Sequence, residues 1–207
     1  MGDCVFLERT QTLADRQFTD PAHTAVDLSW LSLMANQLRD LCRRPEGLAE
    51  EPRPLILHLR EVAGRQHRVV MARREALLEG VDLTVVGFFG HKDRALDHTL
   101  LEAVDQELIG EFLHHPGVLS YSSLELENGD YGNLVLLNPP EAKEHWRTSQ
   151  KHIYAAQELS PRHYLHIRLH NGYLPGGLQS GRDPVLQRTK YYDYRGGEVW
   201  RGVRELV

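Results

Sequence analysis

Sulfur is scarce in this chain: Cys4 and Cys42 are its only cysteines among 207 residues. Two thiols so far apart, with no CxxC and no Cys/His spacing, leave out a disulfide framework and a thiolate zinc centre. Basic excess is missing too. Twenty-four Lys and Arg stand against 29 Asp and Glu, a formal net charge of −5. Acids interrupt the short runs Arg43-Arg44 and Arg73-Arg74, so no nucleic-acid partner is expected. No apolar run reaches the roughly 18 residues of a membrane span. MGDCVFLERTQ has acids early and no apolar core of a leader, so a cytoplasmic, reduced setting is expected. GxGxxG, GxxxxGKS or GxxxxGKT, GxSxG and HExxH are all absent. Support for dinucleotide enzymes, P-loop NTPases, elbow-type serine hydrolases and zincins falls accordingly.

Histidine is what the chain has in quantity. Five of its twelve fall between Glu141 and His170, in EAKEHWRTSQKHIYAAQELSPRHYLHIRLH. A helix here brings Trp146, Ser149 and His152 to one side, with His145 on its flank, and Ser160-Pro161 breaks it. The strand that follows alternates Tyr164, His166, Arg168 and His170 with Leu165, Ile167 and Leu169. Imidazoles beside a guanidinium and an indole suggest the wall of a small-molecule pocket. His166 and His170 share a strand face yet stand about 13 Å apart along it, too far for one ion. A mononuclear metal centre would therefore need distant segments to converge.

Upstream, Asp20-Pro21 looks like a helix entry, and Asp27 to Cys42 carries apolar residues at helical spacing. LILHL from Leu55 is ambiguous between strand and helix, and Val69-Val70-Met71 with Ala76-Leu77-Leu78 suits a helix stopped at Gly80. From Val81 the signal sharpens. DLTVVGFFG reads as a strand, Asp97 as the cap of a helix, and VLSYSSLELE and NLVLLN as a hairpin about Asn128-Gly129. Asn138-Pro139 starts the next helix. The order from Val81 to His170 is thus β-α-β-β-α-β, a ferredoxin-like unit in an α+β protein. Its second sheet face, apolar at Val118, Leu124 and NLVLL, needs cover from a partner subunit or from the N-terminal helices. Residues 1–80 read as a helical N-terminal extension, and 81–207 as the ferredoxin-like domain with a C-terminal strand and tail.

That element order, with Pro116-Gly117 before the second strand and WRTSQKH from Trp146 to His152, resembles the dimeric α/β-barrel superfamily. Its antibiotic-biosynthesis monooxygenase-like members often carry a PG and a W-x-x-S-x-x-H pattern at these places. The resemblance covers residues 81–170. It implies a barrel completed by homodimerisation, a pocket between sheet and helices, and oxidoreductase chemistry with haem or without a cofactor. With haem, His152 would ligate the iron, Trp146 would pack on the ring, and Arg168 with His166 or His170 would serve the distal side or the propionates. Without haem, His152 or His166 would be the base of a cofactor-independent monooxygenase. Arg168 or Asn133 would then stabilise an oxyanion, and Trp146 and Tyr121 would shape a flat slot. A non-catalytic ligand-binding or scaffold dimer is the third reading, in which His166, Arg168 and His170 form a solvated strand edge.

Overall fold

The structure, a computed structural model, describes residues 4–44, 54–61, 64–111, 115, 117–142, 144 and 149–207. Among these described residues nine strands join in one sheet: β1 Cys4–Phe6, β2 Leu55–Arg60, β3 Gln66–Met71, β4 Leu83–Lys92, β5 Val118–Glu125, β6 Tyr131–Leu137, β7 Tyr164–Leu174, β8 Val185–Asp193 and β9 Trp200–Glu205. Their order is β1-β9-β8-β7-β4-β6-β5-β3-β2. Every neighbouring pair is antiparallel except β1 with β9, so the sheet is mixed.

This overturns the expected small ferredoxin-like βαββαβ unit closing into a dimeric α/β barrel. The protein is sheet-rich, and the strands of residues 83–174 are only the inner four, β7-β4-β6-β5. Strands β8, β9 and β1 extend the sheet past β7, while β3 and β2 extend it past β5. The first 80 residues are likewise more than a helical extension, since they supply β1, β2 and β3. The reason is pairing. LILHL and QHRVVM are short apolar runs that periodicity cannot assign, and the free edge of β5 draws them in as strands. Of the helix expected after Val69, only α2, Arg74–Leu77, forms.

Helix α1, Pro21–Arg43, starts where its signals place it. The Asp20 carboxylate accepts from the Ala22 N–H at 2.8 Å, and Pro21 sits in the first turn, where its missing N–H leaves no bond unmade. Its stripe of Leu31, Met34 and Leu38 is fully buried against Val85, Phe89, Leu134 and Leu136 of the sheet. Of the two covers expected for the apolar face, a partner subunit or the N-terminal helices, α1 is the one seen over Leu124, Leu134 and Leu136.

Because successive strand residues face opposite sides, Val86, Tyr121 and Val135 belong to the other face. There Ile109 of α3, Thr99–Glu111, packs against them. The segment after residue 149 lies beside α3. It comprises α4, Gln150–Tyr154, a π-helical turn at Ala155–Leu159, and α5, Ser160–His163. Pro161 falls in the first turn of α5, so the helical path runs on to His163 instead of breaking at Ser160-Pro161. Among the described residues no helix is long and apolar enough to cross a membrane.

Candidate functional site

Register brings β7 and β8 side by side under the N-terminal half of α1, with Arg168 opposite Tyr191 and His170 opposite Thr189. Asp27 on the helix meets them. Its carboxylate takes a two-pronged bond from Arg168, Nε at 2.6 Å and Nη2 at 2.8 Å, and stands 2.8 Å from His170 Nε2. His170 Nδ1 is 2.9 Å from Thr189 Oγ1. Burial raises the carboxyl pKa of Asp27, but the bonds from His170 and Arg168 outweigh it and the net shift is downward. Carboxylate, imidazole and hydroxyl stand in the sequence of an acyl-transfer triad, yet His170 and Thr189 are both 0% exposed. No substrate reaches them, so the network is structural. Beside it, buried Arg204 bonds the Tyr191 hydroxyl and the carbonyls of Glu8 and Gln11, tying down the chain before α1.

One row further out on this face, His166 is clamped between rings. Phe18 stacks on one side at 4.3 Å and 8°, and His91 on the other at 5.0 Å and 20°. Burial, then the neighbouring His91, Arg168 and Arg195, lower its pKa to about 4. Asp130 holds the His91 ring, its Oδ2 2.6 Å from Nδ1. Between pH 6.5 and about 4 an unfolded chain takes up a proton that folded His166 refuses. Its contribution to stability is therefore complete above pH 6.5 and is lost as pH falls through that window. His166→Gln should flatten this slope. Urea midpoints at pH 7 and pH 5 are expected to differ more for the wild type than for the variant.

The face beneath α3 is of another kind. From Leu83 to Phe89 on β4 and along β6 the α1-facing positions are buried, whereas Val86, Phe88, Asn133 and Val135 stay partly exposed on the side that carries α3. Tyr121 on β5 and Arg68 on β3 continue this lining. Where α3 leaves these side chains partly exposed there is a shallow slot at the margin of helix and sheet. Tyr164 meets Phe88 edge-on at 5.4 Å, and its ring lies over Gly90, where an added Cβ would stand 2.4 Å from it. Asp105 turns inward from α3 to accept from the Tyr121 hydroxyl at 3.1 Å and from Arg68. Burial, then the Asp105 carboxylate, keeps the Tyr121 phenol well above its usual range, so it remains a donor. Asn133 Oδ1 is buried and has no hydrogen-bond partner among the described residues. A buried acceptor without a partner, across from Phe88 and near Tyr121, is an unexplained polar atom that a flat molecule with a polar edge could satisfy. A depression of about 510 Å³ on the outer side of α1, lined by Ala25, Leu28, Ser29 and Leu33, is open to solvent and offers no comparable chemistry.

The residues singled out from the sequence therefore divide. Arg168 and His170 meet at Asp27, with His166 one row away, all on the α1 side. His152 lies in α4, beside α3 on the opposite side, where its backbone N–H is bonded to Ser149 Oγ at 3.3 Å. Trp146, His145 and Pro116 lie outside the described residues. Arg168 is fully engaged by Asp27, so His152, Arg168 and His170 do not converge on one macrocycle, and no haem chemistry is derived from them. Asp27 and Asp105 are the neighbours of these residues that sequence reasoning missed. Each is a carboxylate on the apolar stripe of its helix, among Leu31, Met34 and Leu38 or among Leu101, Val104 and Leu108. A charge at such a position needs a buried partner, and that was the available signal.

No family model, no curated protein and no solved structure matches this chain.

Proposed function

We propose that the protein binds a flat, partly polar organic molecule in the slot between α3 and the sheet. The observation that carries this reading is the unpartnered Asn133 Oδ1 among the partly exposed Phe88, Tyr121 and Val135. Asp105 accepts from both Tyr121 and Arg68; Arg68 Nε and Asn133 Oδ1 are left without partners among the described residues, and of the two the Asn133 oxygen is the acceptor for a ligand's hydroxyl or amine. Rings stacked or edge-on against Phe88 and Tyr164 supply the apolar part of the binding.

Oxidation of that molecule by dioxygen, without a bound cofactor, is the second reading. It is favoured over a haem-dependent reaction by one point: Asn133 and Tyr121, the residues suited to hold an oxyanion and shape the slot, line the same face. The residues a haem would need are divided between two faces.

A pair of probes tests the binding reading. 2-Naphthol carries a hydroxyl that 2-methoxynaphthalene lacks, and fluorescence titration should find the naphthol bound more tightly. Asn133→Leu should remove that preference, weakening naphthol about tenfold, the value of one hydrogen bond of about 1.4 kcal/mol. Equal affinity of both probes for the wild type, or an unchanged preference in the variant, would overturn the reading. For turnover, oxygen consumption with electron-rich phenols is the readout; a rate no greater than that of buffer removes the second reading.

A further inference from the structure

Two histidines from distant parts of the chain face each other near the slot. His98 stands just before α3 and His163 ends α5; their Nδ1 atoms are 3.2 Å apart, with ring centroids at 5.3 Å and 55° between planes. Both backbones are held. His163 O accepts from the Asp93 N–H at 2.9 Å, and His98 O accepts from the Glu102 N–H at 3.0 Å. His163 is 8% exposed. A tetrahedral ion with metal–nitrogen bonds of about 2.0–2.1 Å sets two ligand nitrogens about 3.3–3.4 Å apart. The pair already has that bite.

From this geometry we propose that His98 and His163 bind a divalent transition ion of the zinc type through their Nδ1 atoms. Imidazole nitrogen suits Zn²⁺, Co²⁺ and Ni²⁺ and not the hard ions Mg²⁺ or Ca²⁺. Among the described residues no set of three ligating side chains surrounds a point, so water completes the coordination. Asp97 acts on both rings and favours a cation there, while Lys92 and Arg162 oppose it from the His163 side. The balance is that of a modest site. Its structural effect is plain: an ion here ties the start of α3 to the end of α5, next to the Tyr164 ring that walls the slot. This inference stands on the histidine pair and does not need the slot to bind anything.

Titration calorimetry with Zn²⁺, and the visible spectrum with Co²⁺, test it on the full chain. One saturable site is expected below about 1 mM, with a rise in melting temperature. His98→Gln and His163→Gln should each weaken it tenfold or more, whereas His58→Gln, on an exposed strand position, should not. Should a variant fail to fold, paramagnetic broadening by Co²⁺ of the wild-type His98 and His163 ring protons decides instead. No saturable binding by about 1 mM overturns the proposal, as does undiminished binding in both variants or broadening of other histidines only. The 3.2 Å contact would then be an N–H···N hydrogen bond and nothing more.

Discussion

Asp27→Ala is expected to lower the unfolding free energy by about 3–5 kcal/mol, the cost of deleting one partner from a buried ion pair. Asp27 is 2% exposed, and its carboxylate is the acceptor shared by Arg168 and His170. Removing it leaves a guanidinium and an imidazole under α1 with no carboxylate to meet. Water cannot replace it without prying the helix from the sheet. Asp27→Asn keeps the shape but not the charge, and should recover only part of the loss. Urea unfolding at pH 7, read by circular dichroism, checks both. The same carboxylate sets an acid limit. Its folded pKa lies below its ordinary value, so its contribution is complete above about pH 4 and is lost as pH falls through the folded pKa. Wild type should thus lose stability at acid pH by a step that Asp27→Ala lacks. A variant as stable as the wild type would mean that the three-way network contributes nothing.

The second large effect concerns the fit between α1 and the centre of the sheet. Leu31 is fully buried and its two methyl carbons stand 2.9 and 3.1 Å from where a Cβ would be at Gly87. Leu31→Ala should cost about 3–5 kcal/mol, since it opens a cavity that flanking β-structure cannot close. Gly87→Ala should cost about 1–3 kcal/mol by pushing a methyl into Leu31 and toward His170 Cβ, 3.4 Å away. In the double variant the methyl at position 87 enters the space that Leu31 vacates. Its loss should therefore fall short of the sum of the singles by about 1 kcal/mol or more. Strict additivity in denaturant unfolding would show that α1 and β4 do not touch as described.

Both effects depend on α1 lying on the sheet, and this shows how far local signals reach. The start of α1 was legible because Asp20 and Pro21 act within one turn. The hairpin at Asn128-Gly129 was legible for the same reason: Gly129 takes the positive φ of 76° that the turn requires. Asp97 likewise accepts from the Thr99 N–H at 2.9 Å, as expected of the residue before α3. These are interactions between residues at most a few positions apart. They need no knowledge of the rest of the chain.

Sheet membership is another matter. QHRVVM becomes a strand because β5 offers Ser120 to Leu124 as partners some fifty residues later, and no short window contains that fact. The candidate site shows the same division. Alternation along β7 put Arg168 and His170 on one face, which holds, and they were read as pocket wall. Asp27, 141 residues from Arg168, takes that guanidinium and buries it. Sequence alone determined the start of α1, the Asn128-Gly129 turn and the cap before α3, because short-range sterics and hydrogen bonds decide these. Tertiary structure alone decided that α1 buries the centre of one face while positions of β4 and β6 on the α3 side stay partly exposed. That asymmetry arises from long-range packing, and on its less covered side the Asn133 oxygen is without a partner among the described residues.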